Sequence, residues 1–136
     1  KLANTTGNNL LNYYEEYSVN TSVMSGNVSL LSNVPLRVVR IGKMVQITLP
    51  DDVINLSPLA LQEIKFSVEL PERFRPNRDA IRFPLQILNN GSQGTGYLVI
   101  APNGLITIRP NISNPAAIWS GVSNAGFYAS GLSYSL

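Results

Sequence analysis

The sequence predicts an all-β domain, an antiparallel β-sandwich or jelly roll, on three observations. Apolar residues recur mostly with period two, as in half-buried strands. The apolar runs are short and separated by clusters rich in Asn, Gly, Ser and Pro, the residues that turns demand. Charged residues make up only 13% of the chain, about half the usual share, so long helices with a solvated charged face have too little to be built from. The 136 residues suit one domain with a core that needs no staples.

Taken in order, Tyr13, Glu15, Tyr17, Val19, Thr21 and Val23 share one face of a first strand, rich in Tyr and β-branched residues. Val28 to Leu31 reads as a short strand of its own. Val34 to Ile41 and Lys43 to Leu49 are two more, with Gly42 between them as a tight hairpin connection. Residues 51–63 are ambiguous; Ser57-Pro58 suits the opening of one helical turn, because Pro is tolerated at the first helical position. Ile64 to Leu70 alternates apolar and polar without an error, and so does Ile81 to Ile87. Pro84 sits on the polar face of the latter and lacks a donor, which predicts an edge strand or a bulge. Asn89 to Gly96 reads as a loop. Tyr97 to Ala101 and Leu105 to Arg109 flank Pro102-Asn103-Gly104, the clearest hairpin signal in the chain. Pro110 to Gly126 is a long Asn-, Gly- and Ser-rich loop, and Tyr128, Leu132, Tyr134 and Leu136 share a face of a last strand. No internal repeat and no strand–helix alternation points to a solenoid, a propeller or a parallel α/β sheet.

Composition excludes much chemistry. Cysteine and histidine are absent, which removes disulfides, thiol catalysis, zinc sites built on those residues and every His-dependent triad. Ten basic residues stand against eight acidic ones, a dilute +2 without the dense basic stripe of a nucleic-acid binder. No apolar run is long enough for a transmembrane helix, and no signal peptide is visible. The chain starts at Lys1 instead of Met, which suggests a piece of something longer. Asp51-Asp52 are a conceivable calcium pair, but no further acidic residue lies nearby to complete an oxygen shell, and Asp favours turns in any case. Glu15 and Glu16 point to opposite faces of a strand and make no glycosidase pair. Gly91 to Gly96 is glycine-rich yet lacks the Lys-Ser/Thr of a phosphate loop. The expectation is a protein that is not an enzyme and carries no cofactor and no metal.

Residues 64–136 carry a further pattern: Leu70-Pro71-Glu72-Arg73-Phe74-Arg75-Pro76, then Gly96-Tyr97-Leu98-Val99-Ile100, Asn103-Gly104-Leu105-Ile106-Thr107-Ile108, and a closing Gly131-Leu132-Ser133-Tyr134. This order resembles the C-terminal head domains of bacteriophage and other viral fibres, jelly rolls similar in architecture to the trimeric tumour-necrosis-factor and C1q-like domains. With the Val38 to Leu49 hairpin the resemblance covers roughly residues 30–136. It divides the chain into an N-terminal segment or first strand at 1–30, where a shaft would join, and a head domain at 31–136. It implies a homotrimer on the virion surface, attached to the rest of a fibre or capsid, that binds a host cell-surface glycan or protein receptor without nucleic acid or membrane insertion. Two alternatives stay open. One is a capsid-decorating or fibre-stabilising protein with no receptor; the other is a C1q-like secreted module, whose Asn-x-Ser/Thr sequons at Asn4, Asn20, Asn27, Asn55, Asn90 and Asn111 would be occupied.

The residues lend the trimer independent support. Val34, Leu36 and Val38 lie on one face of their strand, and Val39 and Ile41 on the other; Tyr97 and Val99 likewise oppose Leu98 and Ile100. A strand apolar on both faces needs cover on both. One face meets the opposite sheet; the other meets a neighbouring subunit unless loops or the N-terminal segment cover it. Val39, Ile41, Tyr97, Val99 and Tyr134 are therefore the candidate trimer contacts. For ligand binding, Trp119 in the longest loop is a candidate to stack on a sugar ring or anchor a partner, or else it plugs one end of the sandwich. Arg73, Arg75 and Arg78 are candidates for bidentate recognition of an acidic sugar or phosphate, or else pair with Glu72 and Asp79.

Overall fold

The computed structural model describes residues 13–49, 53–120, 124–128 and 130–136; Asp51-Asp52, Asn4 and the remainder of residues 1–12 lie outside them. The strands are β1 (Tyr14–Ser25), β2 (Val28–Ile41), β3 (Met44–Thr48), β4 (Val53–Leu56), β5 (Ile64–Phe66), β6 (Ile81–Asn89), β7 (Ser92–Ile100), β8 (Ile106–Arg109), β9 (Ala125–Phe127) and β10 (Gly131–Ser135), with one 3-10 turn at Glu72–Phe74. They form one antiparallel sheet in the order β10-β3-β2-β1-β5-β8-β7-β6-β9-β4.

Pairing divides that sheet into two halves. β1 runs beside β2 from Tyr14↔Ile41 to Ser25↔Val28. It meets β5 only at Val23↔Phe66 and Met24↔Lys65. Register shifts between Thr21 and Met24 mark the joint, and such bulges bend a strand and increase its twist. The four-stranded half, β10-β3-β2-β1, thereby folds over the six-stranded half, β5-β8-β7-β6-β9-β4. Between them lies one core, with Leu36, Val38, Val45 and Ile47 from the first half and Ile64, Leu98, Ile100 and Ile108 from the second. The rings of Phe83 on β6 and Tyr134 on β10 lie 6.3 Å apart and carry the packing across the open side. The result is the all-β, jelly-roll-like sandwich that period-two patterning predicts. A division at residues 30/31 would run through β2, and β1 belongs to the same sheet as the strands that follow.

Several elements differ from expectation for physical reasons. Asn89 to Gly96 is not a loop: Asn89 pairs with Ser92, and Asn90 (φ 53°) and Gly91 (φ 76°) form a two-residue turn with positive φ at both centres, the geometry that matches strand twist. Val28 to Leu31 and Val34 to Ile41 are one strand, bent at Asn33 (φ 60°). β5 stops at Phe66 although alternation continues to Leu70. There the bulged β1 offers no regular ladder, and the amides of Ser67 and Val68 turn to the Ser22 carbonyl at 2.8 Å and the Thr21 hydroxyl at 3.1 Å. Ser57-Pro58 opens no helix; the Leu59 amide instead donates to the Ser25 hydroxyl at 2.8 Å. Pro84 pairs with Tyr97 on one side, while β9 flanks β6 only at Ile87 and Leu88, so the proline lies on an edge as its missing donor requires.

Candidate functional site

One end of the sandwich gathers charge. On β1 and β2, Glu15 and Arg40 are register partners at inward-facing positions where the strands have run past the core. Opposite them, Pro71 leads into the 3-10 turn. The Phe74 amide donates to the Pro71 carbonyl at 2.9 Å and the Arg75 amide to the Glu72 carbonyl at 3.1 Å. Phe74 is fully buried, and its carbonyl accepts from the Tyr134 hydroxyl at 2.5 Å. With Phe74 pinned inward, Arg73 and Arg75 on either side of it are left at the rim.

The rim is cross-braced. Arg73 Nε donates to Glu15 Oε2 in an ion pair, and the Tyr13 hydroxyl donates to Glu15 Oε1 at 2.5 Å. Arg40 stacks 4.6 Å from the Tyr13 ring centre, donating from Nε to the Gly42 carbonyl at 2.8 Å and from Nη1 to the Arg73 carbonyl at 2.7 Å. Arg75 Nε donates to the Leu70 carbonyl at 2.6 Å. Partial burial opposes the charge on Glu15, but the hydrogen bonds from Tyr13 and Arg73 and the charges of Arg73 and Arg40 outweigh it and hold the carboxyl below its ordinary range. The Tyr13 phenol is raised, first by its hydrogen bond to Glu15 and then by desolvation. Burial alone pushes the Tyr134 phenol up.

These groups border a cleft of about 290 Å³ lined by Arg40, Lys43, Glu72, Arg73, Arg75 and Asn77, with Leu136 at its edge. Among the described residues no carboxylate lies within 4.0 Å of the side-chain nitrogens of Arg40, Lys43 or Arg75. Of the arginines singled out in the sequence, Arg73 and Arg75 line this cleft, but Arg78 stays out, exposed beside Asp79 at 3.8 Å. Arg73 pairs with Glu15, not Glu72. Arg40 and Lys43 were missed. The available signal was an arginine at an inward register position of a strand whose other inward residues are Val34, Leu36 and Val38, which marks the point where the strand leaves the core.

A second surface is the outer face of the four-stranded half. Register places Tyr14, Ile41 and Met44 in one cross-strand row and Glu16, Val39 and Gln46 in the next. Ile41 is 52% and Met44 51% exposed. The charges nearby, Glu16 and Arg37, neutralise each other at 2.6 Å. Val39 is half-buried on this face.

Other candidates are corrected by burial. Trp119 is completely buried, its indole N–H donating to the Ile108 carbonyl at 3.2 Å, so it plugs the sandwich and presents no ring to a ligand. Tyr134 is buried through its inward register and its bond to Phe74. Tyr97 is buried on the outer side of β7, with the Arg82 guanidinium 5.8 Å from its ring centre and Ile112 and Pro115 bordering the same hollow. Val99 is half-buried on that side. Tyr97 and Tyr134 are therefore not available to a neighbouring subunit.

The fold and rim define a β-sandwich with a cationic end cleft. No family model matches the chain and no curated protein does. Solved structures do match; among them is a reovirus attachment protein sigma1, solved in complex with alpha-2,3-sialyllactose, at 13% identity and TM-score 0.49 over 90% of this chain. The match spans 65% of that protein's chain.

Proposed function

We propose that this chain is the head domain of a viral or phage fibre, that it assembles as a homotrimer on the virion surface, and that it attaches the particle to a host-surface glycan or glycoprotein. In this reading it binds and does not catalyse. One juxtaposition carries it: a single rigid β frame bears both an uncovered, nearly uncharged sheet face suited to self-association and, at one end, a cleft whose cations outnumber its carboxylates. In this reading Val39 and Ile41 form the subunit contact, and Met44 and Tyr14 lie beside Ile41 in its cross-strand row. Recognition sites held at the end of a rigid scaffold are repeated by the trimer, so weak single contacts gain avidity.

Light scattering of the purified chain at micromolar concentration tests the assembly, and binding of the same material to host cells tests the attachment. The expected mass is three times 14.8 kDa, falling to one chain mass in Ile41→Lys/Met44→Lys, with saturable cell binding by the trimer. A wild-type monomer removes the trimer, and binding to viral particles with none to cells replaces attachment with a structural role.

A further inference from the structure

Resting on the attachment reading, we infer that the end cleft is an anion site that takes the carboxylate or sulfate of an acidic sugar, with Arg40, Lys43 and Arg75 as its binding cations. The first ground is charge. Arg40, Lys43, Arg73 and Arg75 face the cleft against Glu72, while Glu15 is spent on Arg73. Arg40 and Arg75 are fixed by backbone carbonyls, and among the described residues neither forms an ion pair within 4.0 Å, so they are oriented without a direct carboxylate contact. The second ground is geometry. A guanidinium carries several N–H donors in a rigid fork. Arg40 commits Nε and Nη1 to carbonyls, and Arg75 commits Nε, which leaves terminal donors of both for a bidentate oxyanion. Holding these side chains in place beforehand lowers the entropy cost of binding.

The third ground is the company those cations keep. A cleft of about 290 Å³ is near the small end of ligand sites and fits one sugar ring. Glu72 lines it with an acceptor that repels an inorganic anion but suits sugar hydroxyls, and the Asn77 amide can both donate to and accept from them. A phosphate polymer such as nucleic acid would need cations in a track, and here they are confined to one cleft. The ligand is therefore a single acidic sugar unit and not a polyanion.

The test is calorimetric titration of the intact chain with methyl glycosides of glucuronic acid and N-acetylneuraminic acid, with methyl galactoside 6-sulfate, and with uncharged methyl galactoside and inorganic sulfate as comparators. At least one acidic sugar should bind about tenfold more tightly than either comparator, and added salt should weaken it. Lys43 is exposed at the hairpin, so Lys43→Glu should keep its melting temperature while losing about tenfold or more in affinity. Arg40→Gln should lose as much, with circular dichroism checking that it folds. Acidic sugars that fail to bind, or that bind Lys43→Glu as tightly as the unaltered chain, overturn the site. Sulfate binding as tightly as the sugars overturns the sugar assignment. Host-cell binding that survives Lys43→Glu unchanged overturns the cleft's role and leaves attachment standing. Sugar binding without cell binding by the unaltered chain sinks attachment and keeps the cleft.

Discussion

On β7, Leu98 and Ile100 enter the core while Tyr97 and Val99 face outward; on β2, Leu36 and Val38 enter the core while Val39 and Ile41 face outward. The two strands present the same two-faced pattern, yet Tyr97 is 5% exposed and Ile41 is 52% exposed. The segment after β8 makes the difference. It turns back across β7, tied by the Ile112 amide to the Thr95 carbonyl at 2.9 Å and by Arg109 Nη1 to the Pro115 carbonyl at 3.3 Å. Its Ile112 and Pro115 then stand beside Tyr97 at one hollow. In the four-stranded half β1, β2 and β3 are joined by tight hairpins at Gly26-Asn27 and Gly42-Lys43, too short to return over their own sheet. The comparison separates two statements that the sequence pattern merges. A two-faced apolar strand needs cover, but the length of the connection that follows decides whether the chain supplies it.

Breaking the covered half should cost most. Trp119→Ala removes the largest fully buried side chain and leaves the Ile108 carbonyl without its indole partner. The expected loss is about 3–5 kcal/mol, read as a lower urea midpoint, with collapse of the fold at the upper end. Tyr97→Ala should follow at about 3 kcal/mol, because it deletes a buried aromatic side chain beside Ile112 and Pro115. Its companion readout is faster hydrogen exchange at the Ile112 amide, which a purely local cavity would leave protected. Ile41→Ser, on the bare half, should change chain stability by no more than about 0.5 kcal/mol while weakening association. If Ile41→Ser destabilises the chain as much as Tyr97→Ala does, the two faces are equally covered and the contrast fails.

What was legible in the chain followed from local rules. Gly42 at φ 60° and Gly104 at φ 90° announce turns because a residue without a Cβ reaches such angles at little steric cost. The alternation from Ile81 to Ile87 announces β6 because one side of the strand is wet. β7 from Ser92 to Gly96 was hidden for a converse reason. Those residues are polar or lack a side chain, and they are strand because their backbone pairs with Leu85 to Asn89. Backbone pairing leaves no mark on side-chain hydropathy. The Glu72-to-Pro76 run showed its arginines but not their partners, since Glu15, Arg40 and Lys43 reach the cleft through folding across most of the sheet. Trp119 illustrates the limit of composition: loop residence left open both a ligand contact and a plug, and its burial with the indole bonded to the Ile108 carbonyl selects the plug.

At the rim, Glu15 faces inward and Glu16 outward, and their substitution should have the smallest effect. Both carboxyls are held below the ordinary range, Glu15 against the opposition of burial by Tyr13 and Arg73, Glu16 first by its hydrogen bond from Arg37. A carboxyl with a depressed folded pKa binds its proton less readily in the folded chain than in the unfolded one. Its contribution is therefore fully present above the unfolded value of about 4.3 and is lost as the pH falls through the folded value. Glu15→Gln should accordingly lower stability at neutral pH, and its difference from the unaltered chain should shrink on acidification. Only 25% of the Glu15 side chain is exposed, yet its partner Arg73 is 46% exposed, so solvent screening keeps the loss below about 1 kcal/mol. Glu16→Gln is the control on the bare face, where the pair with Arg37 is open to solvent and salt should erase its effect. Thermal melts of both variants between pH 7 and acid, at low and high salt, should show a weakly salt-sensitive pH dependence lost with Glu15 and a more salt-sensitive one lost with Glu16. Equal salt sensitivity at the two positions would mean that the rim is as open to water as the outer face.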